Sequence, residues 1–130
     1  MNRAQLNEIA AAYAKAWNSS SPAEVTALFA ADATMILNRG HVLQGRAAIA
    51  GMVTGFYEEF PDLSVQCDGI RGAGSHAVFL WTLEGHHSGT NNYVKVGGWE
   101  EWDLDEDMKI KSSLGWFDNQ EYLRQIAEGA

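Results

Sequence analysis

The sequence predicts an α+β domain in which three N-terminal helices pack against a curved antiparallel sheet. Two patterns point to this. Apolar residues recur at helical spacing through the first sixty positions, and from Leu63 onward long strand-like segments alternate with Gly-rich or acidic turns. Length agrees: 130 residues, 46% hydrophobic and with five Trp, can build one core without disulfide or metal staples. The expectation is a single domain over residues 1–130.

The first helix follows from Leu6, Ile9, Ala10, Tyr13 and Trp17, which share one stripe. Ser21-Pro22-Ala23-Glu24 combines an N-cap Ser, a Pro at the first helical position and a Glu three residues after the cap, so a short helix is expected through Phe29. Ala33 to Leu37 reads as a strand, and Asn38-Arg39-Gly40 turns the chain before His41-Val42-Leu43. Ile49, Met52, Val53, Phe56, Tyr57 and Phe60 mark a third helix, which Pro61 ends. The meander is expected over Leu63–Ile70, His76–Glu84, Tyr93–Leu104 and Lys109–Trp116, with Gly72-Ala73-Gly74 as a hairpin turn. A last short helix is expected from Gln120 to Ala127.

Composition narrows the function classes. A formal charge of −8 with nine scattered Lys and Arg opposes binding to nucleic acid or anionic membranes. No apolar run approaches the length of a bilayer span, and Met1 to Leu6 lack the pattern of a secretory leader, so the reading is a cytoplasmic protein. The single Cys67 cannot form an intrachain disulfide and reads as a buried small apolar residue. The acidic stretch Glu100 to Asp107 reads chiefly as a solvated strand edge and turn. Glu84, His86, His87 and His41 are of metal-ligating types, but adjacent histidines on a strand point to opposite faces, so no metal is expected.

The order of elements, with Asp32-Ala33-Thr34, Gly45-Arg46-Ala47-Ala48-Ile49, Gly85-His86-His87-Ser88-Gly89, Lys109-Ile110 and Asp118, resembles the nuclear-transport-factor-2-like superfamily over nearly the whole chain. Within it the chain is most similar to the SnoaL-like polyketide cyclases, then the ketosteroid isomerases. The resemblance implies a cone-shaped NTF2-like, or cystatin-like, fold. It also implies a homodimer formed through the sheet, an apolar cavity for a small hydrophobic molecule, and no cofactor.

Carried over residue by residue, the isomerase pattern places a catalytic tyrosine at Tyr13 and an acid at Glu100. If Leu104 is core, period-two alternation sends Glu100 and Trp102 inward with it. Tyr13 is either a hydrogen-bond donor to an oxyanion or a core tyrosine whose hydroxyl meets backbone. The isomerase base falls at Leu37, which cannot accept a proton, and the cyclase Asp falls at Gly115. The cyclase pattern also has a histidine where His87 stands, with the parity of Trp81 and Leu83. His87 is thus either an inward acid/base beside Glu100 or a turn residue satisfied by backbone. The expected wall comprises Trp17, Leu37, Phe56, Trp81 and Trp102. The function expected is isomerisation, aldol cyclisation or dehydration of a hydrophobic carbonyl compound, or else non-catalytic binding or dimerisation.

Overall fold

A computed structural model describes all residues, Met1–Ala130. Its elements are α1 (Arg3–Trp17), α2 (Pro22–Thr26), β1 (Phe29–Leu37), β2 (Leu43–Gln44), α3 (Gly45–Glu59), β3 (Ser64–Ala73), β4 (His76–His86), β5 (Tyr93–Leu104), β6 (Ile110–Phe117) and α4 (Asn119–Glu128). The six strands form one sheet in the order β2-β1-β6-β5-β4-β3. Only β1 and β6 pair in parallel; every other neighbour is antiparallel.

Local chemistry accounts for the helix ends. Asn2 and Gln5 form a capping box on α1, each side chain accepting from the other's backbone N–H at 2.8 and 2.9 Å. Ser21 caps α2 and Asp118 caps α4. The apolar stripe of α1 is buried as expected, from Leu6 through Tyr13 to Trp17. No helix is long and apolar enough to cross a membrane.

The helices pack on the concave side of the sheet. Asn18, at the end of α1, pins it to β3: its side chain donates to the Val65 carbonyl and accepts from the Val65 N–H, both at 2.8 Å. The guanidinium of Arg46 in α3 donates twice to the Phe29 carbonyl on β1. At the other end Gln125 accepts from the Lys95 N–H, and Asn92 donates to the Ile126 carbonyl, which hold α4 against β5. Register shifts at Cys67/Gly69 and Asp103/Leu104 insert extra residues and bend the sheet around the helices.

Several expectations shift. Strand β1 begins at Phe29, not Ala33, because the fully buried Phe29 already pairs with Ile110 of β6; α2 stops at Thr26. The meander strands run past their expected ends, to Ala73, His86 and Phe117. Glu100 to Asp107 does not begin on a sheet edge: β5 is an interior strand, and Glu100 is buried. Cys67 is half-buried rather than buried, since it flanks the β3 bulge.

Candidate active site

Three rows of cross-strand neighbours build the floor of the concave face. In the middle row Leu37 of β1 pairs with Gly115 of β6, Gly115 with Glu100 of β5, and Glu100 with Phe79 of β4. One row away Met35 pairs with Ser113 and Ser113 with Trp102; on the other side Phe117 pairs with Gly98 and Gly98 with Trp81. Side chains two residues apart share a face, so these rows stack along one surface beneath α1 and α3.

Glycine at two positions gives the larger side chains room. A Cβ at Gly115 would lie 2.6 Å from Leu37 Cδ2, and one at Gly98 would lie 2.6 Å from Trp81 Cζ2. Leu37 therefore leans across Gly115 of β6, and the Trp81 indole reaches over Gly98 of β5.

Above this floor is a pocket of about 50 Å³, and thirteen of its fourteen lining residues are hydrophobic. Tyr13, Trp17, Leu37, Phe56 and Trp81 line it, together with Glu100, the only carboxyl in its wall. Trp102, expected in the wall, lies behind it, stacked on Phe79 at a centroid distance of 5.2 Å and an interplanar angle of 13°.

Glu100 is held by hydroxyl and indole donors. Oε1 accepts from the Tyr13 hydroxyl at 2.9 Å, the Ser113 hydroxyl at 2.8 Å and Trp102 Nε1 at 3.1 Å. Oε2 accepts only from Tyr13, at 3.1 Å. Oε1 is thus saturated, and Oε2 keeps spare hydrogen-bonding capacity. Burial pushes the Glu100 carboxyl above its ordinary range, against the opposing pull of its three donors. Burial, and next the nearby carboxylate, raise the Tyr13 phenol well above its usual value. The indole N–H of Trp81 is buried without a partner.

His87 is not brought to this pocket. Strand β4 ends at His86, and His87, one residue further, keeps to the inner side, where its side chain is 15% exposed, but lies outside the pocket wall, so the expectation of His87 beside Glu100 is corrected. His87 lies in the following turn, where its N–H donates to the Asn92 carbonyl and its Nδ1 accepts from the Gly89 N–H. Its ring packs edge-on against Phe60, and Nε2 lies 3.5 Å from Glu59. His86 points to the surface and meets Asp62 at 2.7 Å, while Glu84 accepts from the Tyr93 hydroxyl. No three His, Cys, Asp or Glu side chains converge as a metal-binding group.

Several lining residues stand outside the expected wall, and two further contributors to the site carry polar groups. Ser113 shares the parity of Gly115 and Phe117, a signal present in the sequence of β6. Tyr122 enters the pocket wall from α4, packed against Phe60 and Phe117. Helical periodicity alone does not tell which part of the sheet α4 covers.

A curved, unclosed sheet wrapped around helices, with a small apolar pocket on its concave side, defines the NTF2-like and cystatin-fold class of proteins. Within that class the chain belongs to the SnoaL-like domain family, whose sequence model matches residues 10–113. It is a SnoaL-like small-molecule enzyme or binder. No curated protein matches the sequence. Among solved structures, the chain is similar to a hypothetical protein with a ketosteroid isomerase-like fold from Catenulispora acidiphila, in complex with trimethylamine. The two are 25% identical over 92% of each chain, with a TM-score of 0.84. A Jannaschia protein described as a SnoaL-like polyketide cyclase has 14% identity over 100% of this chain and 99% of that one, with a TM-score of 0.86. The epoxide hydrolase/cyclase-like enzyme SalBIII, described in pyran ring formation in the polyether salinomycin, has 17% identity over 92% and 95%, with a TM-score of 0.81.

Proposed function

We propose that this chain is a cofactor-independent acid/base enzyme acting on a small hydrophobic carbonyl compound, with Glu100 as its proton carrier. The observation that supports this reading is the asymmetry of Glu100: three donors hold Oε1 while Oε2 shares only the Tyr13 hydroxyl at the wall of an apolar pocket. As a carboxylate, Oε2 takes a proton from the carbon next to the carbonyl, leaving an enolate. Once protonated, Glu100 is a weaker acceptor, which frees the Tyr13 hydroxyl to donate to the enolate oxygen. Return of the proton from Oε2 to a different carbon of a conjugated enolate completes an isomerisation; in an aldol closure the enolate carbon bonds to a second carbonyl, and the alkoxide so formed takes the proton from Oε2. The unpartnered Trp81 N–H offers a further donor for a ligand oxygen.

The pocket volume favours a small ligand. A pocket of about 50 Å³ has room for a handful of non-hydrogen atoms. The trimethylamine in the Catenulispora protein is a ligand of that size.

The test is hydrogen–deuterium exchange at the α-carbons of small cyclic ketones in D₂O, followed by proton NMR. Wild-type protein and His87→Ala are expected to accelerate the exchange, and Glu100→Gln to lose the acceleration. Exchange no faster than buffer, or undiminished in Glu100→Gln, overturns the reading.

A second reading, non-catalytic binding, is favoured by one observation: the family's two base positions hold Leu37 and Gly115, and no other carboxyl or histidine lines the pocket. Native mass spectrometry with a retained small molecule, together with no exchange activity, would support it. For the assembly we propose a homodimer through the sheet, whose outer face exposes Trp99 and Leu114.

A further inference from the structure

We propose that the pocket accepts a small organic cation, a tertiary or quaternary ammonium, seated among its aromatic rings with Glu100 as the counter-charge. This goes beyond carbonyl chemistry and rests on the preceding reading in one respect, that the pocket is the ligand site.

Three features converge on a cation. The first is the wall. Trp17 and Phe56 from the helices, Phe79, Trp81 and Phe117 from the sheet, and Tyr122 from α4 surround the space. Ring faces carry negative electrostatic potential, so a cluster of this kind stabilises a desolvated cation that offers one hydrogen bond, as a tertiary ammonium does, or none.

The second is the charge balance of Glu100. The ion pairs of the structure all involve His76, His86, His87 or Arg124 at other places in the fold, and none includes Glu100. Its partners are hydroxyls and an indole, which orient a carboxylate without neutralising it. A buried carboxylate lacking a cation is costly, and a ligand that brings the positive charge removes that cost. A neutral ligand of the same shape fills the rings but leaves the charge uncompensated. The spare Oε2 is the atom nearest in role to such a counter-ion, since Oε1 already has three donors.

The third is the approach. A chain of net charge −8 raises the local concentration of cations, and the pocket wall holds no Lys, Arg or His to oppose one. The pocket's volume has room for a head group the size of tetramethylammonium.

The experiment compares tetramethylammonium with tert-butanol, a neutral molecule of similar shape, at matched ionic strength. Calorimetric affinity is measured, and the indole N–H resonances of Trp17 and Trp81 are followed by nitrogen-15 NMR. Wild-type protein is expected to prefer the cation by about tenfold, with both indoles shifting on binding. Glu100→Gln is expected to abolish that preference while still binding the neutral molecule. Equal affinity for the two ligands overturns the cation inference yet leaves the small-molecule pocket intact. Binding of neither also overturns it, and the ketone exchange assay then judges the pocket reading separately. If Glu100→Gln does not fold, the wild-type ratio decides, supported by Phe56→Leu, which is expected to weaken the cation severalfold and tert-butanol little.

Discussion

The hydroxyl of Tyr13 lies 2.9 Å from one oxygen of Glu100 and 3.1 Å from the other, joining α1 to the interior strand β5 across the core. This bond ties the position of the first helix to the ionisation of the pocket's only carboxyl. Removing the hydroxyl therefore has two readouts. Tyr13→Phe is expected to raise the Glu100 pKa further, because the lost donor favoured the charged form. It is also expected to destabilise the fold by about 1.5–3 kcal/mol where Glu100 is ionised and by less where it is protonated. Carbon-13 titration of the Glu100 carboxyl and denaturant unfolding at two pH values measure both.

Glu100 also sets a pH dependence. Its pKa is raised in the folded state, so between the unfolded and folded values the native chain holds more protons. Its contribution to stability is complete below the unfolded value near 4.3 and declines as pH rises through the folded value, by about 1.4 kcal/mol for each unit by which folding raises it. Asp62, lowered by its hydrogen bond from His86, acts in the opposite sense at acid pH. The stability difference between wild type and Glu100→Gln removes that contribution. Relative to the variant, wild type is expected to weaken from pH 4 to pH 8; a difference that stays flat refutes the linkage.

Leu37 and Gly115 form a matched pair, since a Cβ at position 115 would sit 2.6 Å from Leu37 Cδ2. Gly115→Ala is expected to force Leu37 off its rotamer at a cost of about 0.5–1.5 kcal/mol. In Leu37→Ala the same substitution meets no obstacle. A double-mutant cycle is expected to show coupling of at least about 0.5 kcal/mol. Additive effects would mean that Leu37 has another resting place.

The outer face of β5 and β6 carries Trp99 and Leu114, 42% and 38% exposed. Trp99 stacks with Trp116, Arg39 lies over the Trp116 ring, and Glu101 accepts from both indoles. The proposed homodimer predicts twice the chain mass in light scattering at micromolar concentration, and a monomer for Leu114→Lys. A monomeric wild type removes the proposal.

Much of this architecture is legible in the sequence because it rests on short-range patterns. The stripe from Leu6 to Trp17 needs only helical spacing, and the Ser21 and Asp118 caps only local hydrogen bonds. The inward direction of Glu100 and Trp102 follows from alternation within a single strand, with Leu104 as reference. His87 shows where that logic ends: parity gives the face a side chain takes but not its distance from another residue, and His87, one residue past the end of β4, packs against Phe60 outside the pocket wall.

The sequence by itself determined the helix-then-meander order and, through alternation with Leu104, offered Glu100 as an inward acid. Each of these depends on residues close together in the chain. Only the tertiary structure decided what surrounds that acid. Tyr13 comes from 87 residues upstream and Ser113 from 13 downstream, and Leu37 leans across Gly115, the cross-strand partner of Glu100. Such neighbours are chosen by strand order and register, which local periodicity does not encode, so the asymmetry of the Glu100 oxygens emerges only when β1, β6 and β5 lie side by side beneath α1.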